Sequence, residues 1–192
     1  LMRELAALIP ADNLTLNPIQ VAELLADGDQ YAYSPLLFGY TNYSREGYRA
    51  NRVAYTDIPA GTNGVSGAFL GGAGIAVSAH TKNPTEAVDY AFWLDSAEVQ
   101  EGVYFDGGGQ PGNAVAWESE RTNALTLDFF RSTRATLEGS YVRPRSVHYI
   151  ELQNEVGPWV TQVIAGELDA DEFINRANAA TLRYLGDLHE HN

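Results

Sequence analysis

The sequence contains no cysteine among its 192 residues. This absence excludes disulfide bonds, thiolate metal ligands and cysteine nucleophiles together. It leaves the compartment open, although it is compatible with an exported bacterial protein that folds without oxidation. No run of about 18 apolar residues occurs either, so the sequence predicts no segment that spans a membrane.

Positive charge is also scarce, with 12 Lys and Arg residues against 25 Asp and Glu residues and a net charge of −13. Lys82 is the single lysine. An acidic surface repels phosphate backbones, so we expect no nucleic-acid partner. Hydrophobic residues make up 45% of the chain, which is enough to build the core of one domain or of two small lobes.

The start of the chain, Leu1 to Leu8, has a pattern typical of a helix. It lacks the basic start, the longer apolar core and the cleavage site of a secretory signal. We therefore expect either that a signal was removed upstream or that the chain begins inside a domain.

Helix signals are clear along the rest of the chain. Asn17–Gln20 combines an Asn cap, a proline at the first helical position and a capping-box Gln, and Asn83–Glu86 repeats this pattern. Gly28 is expected to end the first of these helices in the left-handed conformation, and Gly166 to stop a later one. The predicted helices are introduced by Asn17, Asn83, Ser96, Val156 and Asp169.

Strand signals are fewer and occur at Gln30–Ser34, Arg52–Tyr55 and Ala73–Ala79. The last of these follows glycines that suggest a close approach of the backbone to another group. Strands and helices in this order predict an α/β or α+β fold in which helices dominate.

The usual catalytic constellations are missing. Ser66 lies in Gly-Val-Ser-Gly rather than in the spacing of a nucleophile elbow. The histidines are interpreted as solvated, since none has metal-protease spacing, and the carboxylates as a solvated surface or as helix caps. We therefore predict no enzyme activity, no cofactor and no metal. The histidines are His80, His148, His189 and His191.

The run Gly107–Gly112 matches G-x-G-x-x-G, but a helical segment precedes it and Pro111 falls inside it. A dinucleotide cradle needs a strand before the motif and a helix opening within it. The run is therefore interpreted as a flexible loop that lines a cleft. Its Gln110 side chain and backbone amides would be available to a neutral polar ligand.

Aromatic residues crowd the segment from Tyr31 to Tyr48. Phe38 and Tyr40 follow the first predicted strand, at the end of which ligand clefts of α/β proteins usually open. A ring face next to hydroxyl groups suits sugars, which present flat C–H surfaces and polar edges. For Phe38, ligand stacking and plain packing both stay open.

The stretch Gly71–Ala79, followed by Asn83–Ala87 and Ser96–Gln100, resembles bacterial extracellular solute-binding proteins. More narrowly, it is similar to the sugar-type substrate-binding proteins of ABC importers, of which this chain would be the C-terminal portion. The loop Gly109–Gly112 and the tail from Trp159 to Phe173 share this resemblance.

The resemblance implies a periplasmic-binding-protein-like α/β fold with a partial two-lobed architecture. Segment 1–58 would belong to the second lobe, 59–117 would return to the first lobe, and 118–192 would form the C-terminal helices of the second lobe. It also implies that Phe38 stacks on the ligand and that the backbone of Gly71 and Gly72 approaches it. Ligand would be held between lobes that close about hinges.

The implied function is extracytoplasmic binding of a sugar or similar small solute for delivery to an ABC permease. The location would be extracellular, periplasmic or on the cell surface as a lipoprotein, with membrane association only through an upstream lipid anchor or the permease. A carbohydrate-active hydrolase and an acidic protein-interaction domain are the alternatives. The predicted ligand-binding residues are Phe38, Tyr40, Gly71, Gly72 and Gln110.

Overall fold

The computed structural model describes residues 2–186. Leu1, His189 and His191, which enter the sequence-based predictions, lie outside these described residues. The chain divides into two compact units. A terminal unit combines Leu1–Leu16 with Arg143–Asn192, and a central unit spans Asn17–Val142. The division into segments 1–58, 59–117 and 118–192 stays a prediction.

About 52% of the structure is helical. Short 3₁₀ turns lie at Ala11–Thr15 and Thr41–Ser44, and a π-helical turn lies at Gln100–Tyr104. The α-helices are α1 (Met2–Ala6), α2 (Pro18–Asp27), α3 (Pro84–Leu94), α4 (Ala97–Val99), α5 (Ala114–Glu118), α6 (Glu120–Leu125), α7 (Phe129–Ser132), α8 (Arg134–Glu138), α9 (Tyr149–Ala165) and α10 (Ala170–Leu185).

The start of α2 confirms the predicted capping box. The Asn17 side chain accepts a hydrogen bond from the Gln20 amide at 2.9 Å, and the Gln20 side chain accepts one from the Asn17 amide at 2.8 Å. The predicted left-handed end at Gly28 is wrong, because its φ of −138° is extended backbone. Helix α2 buries Ala22 and Ala26, so its register is determined by packing as well as by its cap.

Helix α3 differs from its prediction in two ways. The Asn83 side chain makes no cap hydrogen bond, so the repeated capping pattern is wrong there, and Pro84 alone marks the start. Its apolar residues Ala87, Val88, Ala91, Phe92 and Leu94 form a stripe that predicts core packing, yet no residue of the helix is buried. Phe92 is 74% exposed. Local signals placed this helix correctly but could not specify what it packs against.

The three predicted strands form no ladder. Among residues 2–186 the only β-pairings are isolated bridges between Gly61 and Gly64 and between Phe69 and Tyr141. A strand is stabilised by hydrogen bonds to a neighbouring strand, and segments 30–34, 52–55 and 73–79 have none within the described chain. The α/β class therefore stays a prediction.

The core of the central unit is aromatic. Phe105, Phe129 and Phe130 are at most 2% exposed and pack together, with Trp117 and Tyr55 against them. The ring centroids of Phe130 and Trp117 are 5.2 Å apart in an edge-to-face arrangement, which suits the ring quadrupoles. A second cluster holds the two buried alanines of α2 and Tyr43. Because Tyr55 packs against both clusters, it joins them.

The terminal unit is built from α9 and α10. Asp169 caps α10 by accepting from the Asp171 amide, and Gly166 ends α9 with a φ of +82°, both as predicted. Helix α9 starts at Tyr149 rather than near Val156, so Pro158 lies inside the helix instead of in its first turn. The Arg3 side chain ties α1 to this pair by donating to the Val163 and Leu168 carbonyls, each at 2.7 Å.

We expect the stability of the central unit to depend on pH through Glu23. Its carboxylate accepts two hydrogen bonds from Arg49, each at 2.6 Å, and one from the Tyr43 hydroxyl at 2.8 Å. Arg49 and then Tyr43 hold the pKa of Glu23 at about 2, below its ordinary 4.5. A lowered folded-state pKa adds stability that is complete above about 4.5 and is lost as the pH falls towards 2.

Urea unfolding of the wild type and of Glu23→Gln between neutral pH and about pH 3 checks this expectation. The substitution should remove part of the acid-induced loss of unfolding free energy. Glu46→Gln, at an exposed position of the same unit, should leave the acid profile unchanged. If the unfolding free energies of the wild type and of Glu23→Gln fell in parallel with pH, Glu23 would not be the source of the acid-induced loss.

Candidate functional site

Phe38, Gly39 and Tyr40 form a short aromatic arm on the central unit. Phe38 is 45% exposed and Tyr40 is 39% exposed, whereas Gly39 faces the aromatic core. A Cβ atom added to Gly39 would lie 2.9 Å from Cζ of Phe129 and 3.5 Å from Cδ1 of Tyr55. The glycine thus lets the backbone lie directly against the core while the two rings on either side of it remain exposed.

The structure brings two predicted site residues into contact. A Cβ atom added to Gly71 would lie 3.0 Å from Cδ1 and from Cε1 of the Phe38 ring. Gly72, by contrast, has open space around its Cα, with no heavy atom within 4 Å of an added Cβ. Phe38 therefore has the Gly71 backbone beside it, whereas no such contact is seen at Gly72, and the approach of the two glycines to a ligand stays a prediction.

The Gln110 side chain holds the aromatic arm in place through hydrogen bonds to Gly39 and Thr41. Its Oε1 accepts from the Thr41 amide and from the Thr41 hydroxyl, both at 2.9 Å, and its Nε2 donates to the Gly39 carbonyl at 3.4 Å. The amide that was expected to be free for a ligand is occupied by these bonds. In this structure Gln110 positions the backbone of Phe38, Gly39 and Tyr40, and a direct ligand contact stays a prediction.

The Arg45 side chain holds the glycine-rich loop Gly107–Gly112 in place. Its Nη2 donates to the Phe105 carbonyl at 2.8 Å and to the Gly109 carbonyl at 3.2 Å, and the guanidinium lies 3.9 Å from the Phe105 ring centroid. Burial lowers the pKa of this arginine. Sequence reasoning missed Arg45, because nothing in its local pattern separates it from a surface cation.

The far end of the loop Gly107–Gly112 is fixed as well. The Trp117 indole donates to the Pro111 carbonyl, and the Gly112 amide donates to Oε1 of Gln100, both at 2.8 Å. The prediction of a flexible loop is therefore wrong. Its glycines allow close packing, since a Cβ atom at Gly109 would lie 2.5 Å from the Tyr104 ring.

Three buried side-chain atoms near the arm have no hydrogen-bond partner among the described residues: Asn42 Oδ1, Arg45 Nε and the Tyr55 hydroxyl. Burial raises the pKa of Tyr55 to about 12, so its phenol is neutral at physiological pH. The Tyr40 backbone opposes this shift in part, although it does not reach hydrogen-bond geometry.

A cavity of about 270 Å³ lies in the central unit beside the arm, with Leu37 and Tyr55 in its lining, and sequence reasoning missed it. Segments 31–35 and 52–58 line it, together with Leu25 and Leu37, and none of the five predicted site residues does. Its charged residues are engaged: Arg52 donates to the Ser44 carbonyl at 2.7 Å, and Asp57 accepts from Thr136. In the sequence, the neighbouring tyrosines Tyr31 and Tyr33 were the signal that could have indicated this cavity.

Two observations on the described chain concern metal and acid–base chemistry, while the absence of an enzyme activity and of a metal stays a prediction. Residues 2–186 contain no group of three or more His, Asp or Glu side chains that could hold a metal ion. Arg49 lowers the pKa of Glu23, and Arg183 lowers that of Glu155, whereas a general acid needs a raised pKa. Within the same residues, no helix has the length and apolar character needed to cross a bilayer.

Loss of the Gln110 side chain should loosen the arm. Gln110→Ala leaves the Thr41 amide and hydroxyl without an acceptor, so we expect the free energy of unfolding to fall by about 1–3 kcal/mol. Gln110→Glu keeps an acceptor for Thr41 and loses only the donor to Gly39, so its loss should be smaller. Urea unfolding measures both. Equal losses for the two variants would show that the bonds to Thr41 do not stabilise the arm.

Comparison with known proteins gives one informative similarity. No protein-family model matches the chain. Over 111 residues the chain is 29% identical to a protein of Deinococcus radiodurans named "Probable ABC transporter-binding protein". The match covers 57% of this chain and 26% of that relative, so the chain corresponds to about a quarter of the relative's length. The relative's name agrees with the resemblance to ABC solute-binding proteins and specifies no ligand.

Proposed function

We propose that this chain is part of the solute-binding component of an ABC importer and that the aromatic arm receives the solute. The observation that carries the proposal is the arm itself, with two exposed rings on a backbone that is packed against a rigid core. Binding sites for small molecules combine apolar ring surfaces with a few fixed polar groups. The similarity to an ABC transporter-binding protein gives this geometry its biological context.

The ligand in this proposal is a sugar or a similar neutral solute. Phe38 offers a ring face to the C–H surface of a pyranose, and Tyr40 adds a hydroxyl that can donate to or accept from its polar edge. Gly71 lies beside Phe38 and has no side chain, so a ligand could approach the Phe38 ring closely. Among residues 2–186, Arg45 is the one charged side chain hydrogen-bonded to the loop beside the arm, and it is partly buried and bonded to carbonyl groups, which favours a neutral ligand over an anion.

The proposal includes no catalytic step. The solute would be bound outside the cytoplasm, as a periplasmic, secreted or lipid-anchored protein, and passed to the permease. Binding would stabilise a closed form in which further contacts to the solute are made.

Isothermal titration calorimetry of the chain with a panel of mono- and oligosaccharides tests the proposal. We expect saturable binding of at least one sugar and no release of hydrolysed product. Turnover of a panel member would favour the hydrolase alternative. Failure of every sugar to bind, with peptides and polyols included as further probes, would overturn the sugar assignment.

A further inference from the structure

The aromatic arm leads directly into a tight turn that ends at Arg45. The Arg45 amide donates to the Asn42 carbonyl at 3.1 Å, which closes the 3₁₀ turn Thr41–Ser44. Ser44 is fully buried, and its hydroxyl donates to the Val53 carbonyl at 2.7 Å. The turn is therefore fixed to a neighbouring segment, and Arg45 has a defined position relative to the arm.

The Arg45 side chain in turn determines where Gly109 lies. Its Nη2 donates to the Phe105 carbonyl and to the Gly109 carbonyl, at 2.8 Å and 3.2 Å. On its other side Gly109 meets Tyr104, because its amide donates to the Tyr104 carbonyl at 2.9 Å and an added Cβ atom would lie 2.5 Å from the Tyr104 ring. Gly109 is thus held from both sides, and the next residue in the chain is Gln110.

Gln110 closes the circle of contacts back to the arm. Its Oε1 accepts from the amide and from the hydroxyl of Thr41, both at 2.9 Å, and Thr41 is 1% exposed. We name this closed set of contacts, formed by the turn Thr41–Ser44 with Arg45, Gly109 and Gln110, the arm clamp. Because groups in one hydrogen-bond network are coupled in free energy, loss of one member should loosen the others.

We propose that Arg45 is a positioning residue of the solute site and sets the affinity of the aromatic arm through the arm clamp, without touching the solute. The proposal rests on the proposed function, since it takes the arm as the place where the solute binds. A guanidinium donates to two carbonyls in a fixed geometry, whereas the ammonium group of a lysine on its flexible stem cannot hold both. A site that is held in its binding conformation loses less conformational entropy when it binds.

Arg121 offers a matched control for Arg45. Its guanidinium lies 5.6 Å from the Phe105 ring centroid, which the guanidinium of the clamp also faces. It donates to the Glu101 carbonyl at 3.0 Å and to the Asp106 carboxylate. Within residues 2–186 it makes no hydrogen bond to the loop Gly107–Gly112. Arg121→Lys therefore changes an arginine beside the same ring and leaves the arm clamp intact.

Amide hydrogen exchange tests the arm clamp without any ligand. We expect the Thr41 amide to exchange at least about tenfold faster in Arg45→Lys, relative to the amide of Asn123, a helical residue that is 1% exposed. General destabilisation would speed both amides, so the ratio of the two rates reports the clamp. Arg121→Lys should leave the ratio unchanged. An unchanged ratio in Arg45→Lys would overturn the proposal.

Calorimetric titration with the panel sugar that binds best tests the effect on affinity. Arg45→Lys and Gln110→Ala should each weaken binding by about tenfold. The double variant should also lose about tenfold rather than about a hundredfold, because both substitutions open the same clamp and their effects do not add. Arg121→Lys should bind as the wild type does.

The outcomes separate this proposal from the proposed function. Wild-type affinity in Arg45→Lys, or a loss of about a hundredfold in the double variant, would overturn the role of Arg45 and leave the solute site in place. Failure of the wild type to bind any sugar, peptide or polyol of the panel would overturn the proposed function, and the role of Arg45 in affinity with it.

Discussion

Replacing Phe130 with alanine is expected to lower the free energy of unfolding of the central unit by about 3–5 kcal/mol. The Phe130 ring is fully buried and lies 5.2–6.3 Å, between ring centroids, from Trp117, Phe105 and Phe129. Truncation removes these contacts and leaves a cavity that three rigid rings cannot fill. A loss of this size is a large share of the stability of an ordinary domain.

Urea unfolding followed by circular dichroism measures this loss. Phe92→Ala is the matched control, because the Phe92 ring on α3 is 74% exposed and its removal should change stability by less than about 0.5 kcal/mol. Similar losses for the two variants would show that the Phe105, Phe129 and Phe130 cluster is not the core of this unit.

Gly39→Ala is expected to displace the aromatic arm and to weaken ligand binding by about tenfold or more. The new Cβ atom would lie 2.9 Å from Cζ of Phe129, whose ring is 2% exposed and has no room to retreat. The backbone must therefore move away from the core and take Phe38 and Tyr40 with it. We also expect the unfolding free energy to fall by about 1–3 kcal/mol.

Gly74→Ala is the matched control for this change, since the same methyl group would meet no heavy atom within 4 Å and Gly74 is not among the predicted ligand-binding residues. Its stability should equal that of the wild type. Calorimetry and urea unfolding on both variants separate the two positions. Unchanged binding in a destabilised Gly39→Ala protein would mean that the arm does not carry the ligand site.

Helices α2, α3, α4 and α10 followed from local sequence signals, whereas no such signal was identified for α5 to α8. The capping box at Asn17, the Ser96 cap, the Asp169 cap and the glycine stop at Gly166 are all formed. Each of these depends on residues within one helical turn. Asn83 has the same local pattern as Asn17 but makes no side-chain cap, and Gly28 ends its helix in extended backbone. In both places the flanking chain, rather than the cap residue, determines the conformation.

The strands and the environment of the site were harder to predict because both depend on distant residues. The apolar pattern of Ala73–Ala79 is typical of a strand, but a ladder requires a neighbour, and no sequence window contains that information. Phe38 is exposed and lies beside Gly71, and its contact with a ligand stays a prediction. The hydrogen bonds between Gln110 and Thr41 could not be predicted, because the two residues are 69 positions apart and no motif connects them. A direct contact of Gln110 with a ligand stays a prediction.

The conformation of the glycine-rich loop Gly107–Gly112 also depends on distant residues and could not be predicted from its local sequence. Its composition suggested flexibility, whereas Arg45, Gln100 and Trp117 hold it in place through hydrogen bonds from outside the loop. Rigidity favours a binding role for the neighbouring arm, because a site that is formed in advance loses less conformational entropy when it binds. The features that matter most for the proposed site therefore come from tertiary contacts.

Calorimetric titration of the chain and of Phe38→Ala with the sugar that binds best tests the central claim most directly. Phe92→Ala serves as the control for loss of an exposed ring. We predict that Phe38→Ala weakens affinity by about tenfold or more while its unfolding free energy stays near that of the wild type, and that Phe92→Ala binds normally. Equal affinity of the wild type and Phe38→Ala would contradict a solute-binding site on the aromatic arm.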